Sequence, residues 1–180
     1  MNILRRYYAI IGLFLLIGVV PSVLLAQVAP HLVKAAVINM LIKKIDWPGN
    51  KAKGSQSTLN ICIVGDDPML SAKDFFKKAS TPQLNYNVIE ESSAAAPLDK
   101  CHVVFAGDSQ SDKIDQLLAA VKGKGVLTIS DVKDFAEKGG IIEFTVVDDK
   151  MKFIINKKAA SDAGIKVPAD ILPIALKVIS

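Results

Sequence analysis

The chain has 180 residues, of which 51% are hydrophobic and 22% are charged, with 22 basic and 18 acidic side chains. This length suits one domain with a substantial core. Its only arginines are Arg5 and Arg6, and aromatic residues make up 6% of the chain. Bidentate recognition of phosphate or guanine needs arginine, and base stacking needs aromatic side chains, so the sequence disfavours nucleotide and nucleic-acid binding.

The first 26 residues have the layout of a secretory signal peptide. Arg5 and Arg6 precede an apolar run from Ala9 to Val20, which is followed by a Pro21-Ser22 break and by Ala26. We expect cleavage after Ala26, which lowers the net charge from +4 to +2. An uncleaved membrane anchor is the alternative, because residues 7–26 are long enough to cross a bilayer. Both alternatives place residues 27–180, which we expect to form a single domain, outside the cytoplasm.

Predicted helices and strands alternate from Pro30 onward. Pro30 opens a helix that ends near Asp46, and its apolar residues at three-four spacing are Val33, Ala36, Val37, Met40 and Leu41. The strands that follow are predicted over residues 59–65, 84–88, 102–108 and 126–130, with helices over 72–79 and 109–122. This alternation predicts an α/β fold with a mostly parallel sheet flanked by helices on both faces.

The C-terminal part begins with a short helical DFAEK segment (134–138) and then an antiparallel hairpin over about 141–156, which we expect at one edge of the sheet. Ile142, Phe144 and Val146 alternate on one face, as do Met151, Phe153 and Ile155. Both triplets share a face only if the loop has an even number of residues, so the turn is predicted at Asp148-Asp149 or Asp149-Lys150. A last helix is predicted from about Asp170.

Acidic residues follow three of the predicted strands. Asp66, Asp67, Asp108 and Asp131 could converge at the carboxyl edge of the sheet, where open α/β folds bind ligands. One interpretation is a metal or phospho-acceptor pocket similar to that of a receiver domain, and the other is a set of ordinary turn and cap residues. His31 and His102 have no partner residues at a spacing that defines a catalytic triad, so no enzyme activity is predicted.

Cys62 and Cys101 are the only cysteines. If their strands are neighbours, the two thiols can form a disulfide in an oxidising compartment, and otherwise they are two buried free thiols. Trp47 and Pro48 follow the first helix. They either anchor that helix to the body or belong to a surface that contacts a partner.

Several of these segments together resemble the YfiR family of periplasmic repressors. The resemblance covers the chain from about Leu32 to its end. The matching segments are Lys34-Ala35-Ala36, Trp47-Pro48, ICIVGDDP, CHVVF, LTISDVKDFAEKGGII, and FIIN with AA and AG after it. The sequence departs from the family at Val37, Leu41 and Lys44, where aromatic residues are expected, at Pro168-Ala169, where serines are expected, and in lacking a second cysteine pair.

The resemblance implies an exported, non-catalytic α/β domain in the periplasm that needs no cofactor or metal. It implies a protein that inhibits the sensor domain of an inner-membrane diguanylate cyclase, with an outer-membrane lipoprotein as a possible antagonist and a homodimer as a possible state. Envelope or redox stress would then change cyclic di-GMP. The candidate partner surface comprises Lys44, Trp47, Pro48, Pro168 and Ala169. The alternative is a periplasmic small-molecule or metal receptor, or an uncharacterised enzyme, that uses Asp66, Asp67 and Asp108.

Overall fold

In the part of the chain that the structure describes, the strands are three to eight residues long and the α-helices six to fifteen. The computed structural model describes residues 28–50 and 57–180. The predicted signal peptide and residues 51–56 lie outside this part of the chain. The strands are β1 (Ser57–Val64), β2 (Leu84–Glu91), β3 (Val103–Ala106), β4 (Leu127–Ser130), β5 (Ile142–Val147), β6 (Lys150–Asn156) and β7 (Lys177–Ile179). The α-helices are α1 (Pro30–Lys44), α2 (Lys73–Ala79), α3 (Ile114–Val121) and α4 (Lys157–Asp162).

The described strands form one seven-stranded sheet in the order β2-β1-β3-β4-β5-β6-β7. Every neighbouring pair is parallel except β5 and β6, which pair antiparallel as the predicted hairpin. Helices cover both faces, so the predicted fold class is confirmed. Within the described residues, no helix combines the length and the apolar content that a membrane span requires.

The two faces of the sheet carry separate hydrophobic clusters. On one face, α1 and α2 pack over strand residues such as Ile61, Phe105 and Ile142. On the other face, α3 packs over Cys62, Val64 and Val104. Adjacent residues of β1 therefore point into different cores, as expected for a strand that is buried on both sides.

The buried face of α1 agrees with the predicted one only in part, since Leu41 is the one fully buried residue that both share. Its buried residues are Ala35, Ile38, Leu41 and Ile42, whereas Ala36 is exposed. Most of α1 is apolar, so more than one stripe has three-four spacing. Packing against the sheet decides which stripe is buried, and sequence periodicity alone does not identify that stripe.

The hairpin turn lies at Asp148-Asp149, the first of the two predicted positions. Val147 pairs with Lys150, and the two aspartates adopt left-handed φ values of 49° and 56°. This two-residue loop puts Val146 opposite Met151 and Phe144 opposite Phe153, as predicted. Two left-handed residues match the twist that a tight hairpin requires.

The predicted C-terminal helix is wrong. Residues Leu172–Ile174 form a single 3₁₀ turn, and β7 then pairs with β6. Pro173 lies in that short turn. The backbone groups of residues 177–179 pair with β6, the second strand of the hairpin, and do not form helical hydrogen bonds. The hairpin therefore lies one strand inside the edge of the sheet.

The DFAEK segment is also not helical, because it forms a series of turns with Asp134 at φ 63°. The buried Glu143 carboxylate accepts hydrogen bonds from the backbone N–H groups of Asp134 and Ala136, at 3.3 and 3.0 Å. Asn156 donates to the Ala136 carbonyl at 2.7 Å. These side chains compete with helical hydrogen bonds, and they fix the segment against β5 and β6.

Candidate functional site

The predicted acidic edge does not form a shared pocket. Asp66 and Asp108 are exposed, Asp67 is buried and Asp131 is half-buried. Among the described residues, no three Asp, Glu, His or Cys side chains are arranged to hold a metal ion. The metal interpretation of this edge therefore has no support from the geometry.

Asp67 has a structural role. Its Oδ1 accepts a hydrogen bond from the Met69 backbone N–H at 2.8 Å and caps the 3₁₀ helix Pro68–Ala72. Its other oxygen lies against Gly107, where an added Cβ would come within 2.0 Å, so the close approach requires glycine. Burial raises the pKa of Asp67, and the nearby charge of Asp131 raises it further. Asp67 is thus a buried cap.

Asp131 forms an ion pair that links the end of β4 to the first helix. Lys34 of α1 contacts Asp131 Oδ2, and its ammonium lies 5.5 Å from the centre of the Phe105 ring. The side chains of Lys34 and Asp131 are 17% and 22% exposed. Asp131 Oδ1 is buried and has no hydrogen-bond partner among the described residues. A buried carboxylate oxygen of this kind favours an additional donor.

The two histidines lie in different parts of the fold, His31 in α1 and His102 just before β3. His102 Nδ1 accepts a hydrogen bond from the Asn60 backbone N–H at 3.0 Å, which ties the start of β3 to β1. His31 is half-buried in the first turn of α1. This hydrogen bond gives the ring of His102 a structural role between β1 and β3.

Cys62 and Cys101 are joined by a disulfide with a Cα to Cα distance of 5.8 Å. Cys62 lies inside β1, and Cys101 lies just before β3, the neighbouring strand. Cys62 is fully buried and Cys101 is 4% exposed. The disulfide is thus part of the core on the α3 face, and native-state access to it is poor.

The candidate partner surface at the end of α1 divides into two parts. Lys44 forms an ion pair with Asp170, so it lies close to the Pro168-Ala169 segment. Trp47, in contrast, is only 5% exposed, and its Nε1 donates to the Ile42 carbonyl at 3.0 Å. Trp47 therefore anchors α1 to the body, which is one of its two predicted roles. The role of Lys44, Pro48, Pro168 and Ala169 as a partner surface stays a prediction.

A groove at the opposite end of α1 was not singled out by the sequence. We call it the tip groove, because it lies beside the tip of the β5–β6 hairpin, and its volume is about 450 Å³. Its lining includes two lysines, two carboxylates and three apolar side chains: Lys34, Lys133, Asp131, Glu143, Phe144, Val146 and Met151. Val146 is 67% exposed although it lies on the apolar face of the hairpin. The hairpin alternation was visible in the sequence, but which of its residues would stay uncovered was not.

The geometry defines a class of protein: a disulfide-bonded α/β domain that, over the part described, has exposed apolar surface and no metal-binding group. The comparison with known families is more specific. The model of the YfiR/HmsC-like family matches residues 31–176, so the chain belongs to that family. The family consists of periplasmic regulatory proteins of diguanylate cyclase signalling.

Solved structures show the same fold at low sequence identity. A conserved domain protein from Vibrio cholerae O1 biovar El Tor superposes with a TM-score of 0.56 and 14% identity, covering 84% of this chain and 61% of its own. The ABC domain in complex with L-Trp from Streptococcus pneumonia has a TM-score of 0.53 and 14% identity, covering 67% of this chain and 55% of its own. The chain thus spans only somewhat more than half the length of either structure. Among curated proteins, none matches the sequence.

Proposed function

We propose that this chain is a periplasmic, non-enzymatic inhibitor that binds the sensor domain of an inner-membrane diguanylate cyclase. The observation that carries the proposal is the YfiR/HmsC-like match, which extends over residues 31–176. Similarity of that extent covers nearly the whole folded domain, and it brings the regulatory role of the family to this chain. An outer-membrane lipoprotein that removes the inhibitor, and a homodimeric state, belong to the same proposal.

Two features of the chain support an extracytoplasmic location. The first 26 residues have the order of basic charge, apolar run, Pro-Ser break and terminal alanine that export signals have. The buried Cys62–Cys101 disulfide suits an oxidising compartment. Both features concern where the protein acts, and the family match concerns what it does there.

Inhibition in this proposal follows from differential affinity. The protein binds the inactive conformation of the sensor domain more tightly than the active one, and so shifts the population towards the inactive state. Moving a two-state equilibrium from 1:99 to 99:1 requires about a 10⁴-fold difference in affinity. A modest preference therefore gives partial repression, and an antagonist that competes for the inhibitor restores cyclase activity.

Gene deletion and complementation test the proposal. In the bacterium that produces the chain, deletion should raise cyclic di-GMP, and the full chain expressed in trans should return it to the original level. A matched variant without residues 1–26 should fail to complement, since it stays in the cytoplasm. Unchanged cyclic di-GMP on deletion, or full complementation by the leaderless chain, would contradict the proposal.

A further inference from the structure

Among the described strands, β2 and β7 form the two edges of the sheet. β7 has three residues, including Lys177, whereas β2 has eight and pairs with β1 along its whole length without a bulge. Unpaired backbone groups at a sheet edge can pair with another strand, and proteins prevent this with short strands, bulges, proline and charged side chains, lysine above all. β2 contains no proline, lysine or bulge, and its only charged residues, Glu90 and Glu91, stand at its end. By these criteria the outer edge of β2 can pair with another strand.

Hydrogen bonds show which backbone groups of β2 point to this outer edge. The carbonyls of Gln83 and Glu91 accept hydrogen bonds from N–H groups at the start and just past the end of β1, so the odd-numbered residues direct their backbone groups inward. The even-numbered residues direct theirs outward. Accordingly, the Tyr86 N–H donates to Ser80 Oγ, in the loop before β2, at 3.0 Å. Leu84 bonds with the same loop through both of its backbone groups.

The outward groups that remain form a symmetric set. They are the Tyr86 carbonyl, the N–H and carbonyl of Val88, and the N–H and carbonyl of Glu90, and none has a hydrogen-bond partner in the part of the chain that the structure describes. In an antiparallel pair centred on Val88, the two Val88 residues exchange hydrogen bonds, and each Glu90 N–H donates to the Tyr86 carbonyl of the other copy. Only the Glu90 carbonyl stays unused, because the Tyr86 N–H already donates to Ser80. The edge is thus its own complement, as a two-fold interface requires.

The side chains beside this two-fold axis fit the same arrangement. Val88 and Ile89 are half-buried, and they pack against the hydrophobic clusters on opposite faces of the sheet. On one face, pairing about Val88 sets the two Val88 side chains against each other. On the other face, it sets Ile89 beside Asn87 of the second copy. Directly opposed β-branched side chains stabilise an antiparallel pair, so the contact at Val88 adds to the backbone hydrogen bonds.

The charges along this edge also favour the antiparallel direction. Helix α2 runs antiparallel to β2, since Lys73 at its start lies 3.7 Å from Glu90 near the end of β2. The charged residues of the two elements are, at one end, Lys77 and Lys78, and, at the other end, Lys73, Asp74, Glu90 and Glu91, of which Glu91 is paired with Lys100. Even with Lys100 included, the second end has more acids than lysines. A two-fold axis therefore brings ends of opposite charge together.

We propose that two copies of this chain form a two-fold dimer through β2, with the strands antiparallel about Val88, so that the two sheets become one continuous sheet. This inference rests on the proposed function, because it locates the interface of the homodimeric state named there. The strand order puts the β5–β6 hairpin far from this interface. The dimer therefore leaves the hairpin end of each sheet uncovered.

Disulfide trapping of the purified mature chain tests the register. Val88→Cys should give a covalent dimer under mild oxidation, because opposed residues of this kind have Cα atoms about 5.5 Å apart, a distance that a disulfide spans. Asn85→Cys is the matched control. Asn85 is more exposed than Val88 and lies on the same strand, but its counterpart is about 20 Å away along the paired strands. Asn85→Cys should stay monomeric on a non-reducing gel, and equal cross-linking of both variants would overturn the register.

Sedimentation velocity over a range of concentrations tests the interface itself. The wild type should show a monomer–dimer equilibrium. Val88→Pro removes an outward N–H and keeps the hydrogen bonds to β1, and it should weaken the dimer by about tenfold or more. Ile179→Pro removes an outward N–H from β7 at the opposite edge and should leave the equilibrium unchanged. If Val88→Pro lowers the thermal midpoint, Val88→Lys replaces it, because two like charges opposed at the axis should weaken the dimer as well.

The outcomes separate this inference from the proposed inhibition, since the test needs no cyclase. A wild type that stays monomeric at its highest soluble concentration overturns the dimer and leaves the inhibition standing. A dimer that both Val88 variants leave unchanged has its interface elsewhere, which overturns the inference too. A monomeric wild type whose Val88→Pro variant fails to repress in the deletion strain would assign the edge to a strand of the cyclase instead of a second copy.

Discussion

Removal of the Cys62–Cys101 disulfide should lower the free energy of unfolding by about 4 kcal/mol in the chain-entropy account. The two cysteines are 39 residues apart in the sequence, and this loop length sets the entropy that the cross-link removes from the unfolded chain. For a domain of this size, the thermal midpoint should fall by about 8 to 16 °C. Both cysteines are buried. In the native state the disulfide therefore contributes mainly packing, and its main effect on stability comes from the unfolded chain.

Urea unfolding of the mature chain measures this directly. One sample is the wild type, one is the wild type unfolded with a reductant present throughout, and one is the Cys62→Ala/Cys101→Ala variant. The difference between the first two samples isolates the cross-link, because both sulfur atoms stay in the core. The difference between the last two gives the lost packing of the sulfur atoms. A reductant effect below about 1 kcal/mol would refute the entropic reasoning, and alkylation of either cysteine in the native, unreduced chain would refute the disulfide.

Three further predictions concern single residues. Glu143→Ala leaves the Asp134 and Ala136 N–H groups without their acceptor and should lower the free energy of unfolding in urea by about 3 kcal/mol. Glu137→Ala breaks an exposed pair with Lys177 and should have a much smaller effect, because exposed ion pairs add little to stability; equal losses would contradict this. Asp149→Gly should stabilise the hairpin by about 0.5 to 1 kcal/mol, because Asp149 has a left-handed φ, and a loss would show that its side chain matters. Asp67→Asn should raise the free energy of unfolding at neutral pH, because the raised pKa of Asp67 means that its charge is unfavourable in the native state. The gain should disappear as the pH falls to about 3, where the carboxyl group is protonated in both states. A gain that persists at that pH would exclude charge as its cause.

Sequence patterns predicted those parts of the fold that depend on local periodicity. The order of elements from α1 to β4, the parallel sheet, and the restriction of the hairpin turn to Asp148-Asp149 or Asp149-Lys150 all follow from apolar spacing and turn residues. The face of α1 was not predictable, because several stripes in an apolar helix are equivalent until the sheet selects one. The C-terminal strand β7 was missed for a similar reason: three residues carry little periodicity, and they form a strand because β6 has a free side.

The candidate sites depend on tertiary contacts, which sequence spacing does not determine. Asp66, Asp67, Asp108 and Asp131 all follow strands as predicted, yet Asp67 is used as a helix cap and Asp131 pairs with Lys34, which is 97 residues away. The tip groove is lined by residues from the start of α1, from the loop after β4 and from the β5–β6 hairpin, which are far apart in the sequence. A pattern search over single elements does not identify such a groove.

The activity of the cyclase in the presence of the purified mature chain tests the central claim most directly. The enzyme should be the detergent-solubilised inner-membrane diguanylate cyclase whose removal reverses the rise in cyclic di-GMP in the deletion strain. We predict that the chain lowers the rate of cyclic di-GMP synthesis in a saturable manner, and that a cyclase lacking its periplasmic region is unaffected. An unchanged rate for the intact cyclase at saturating chain would contradict the proposed inhibition.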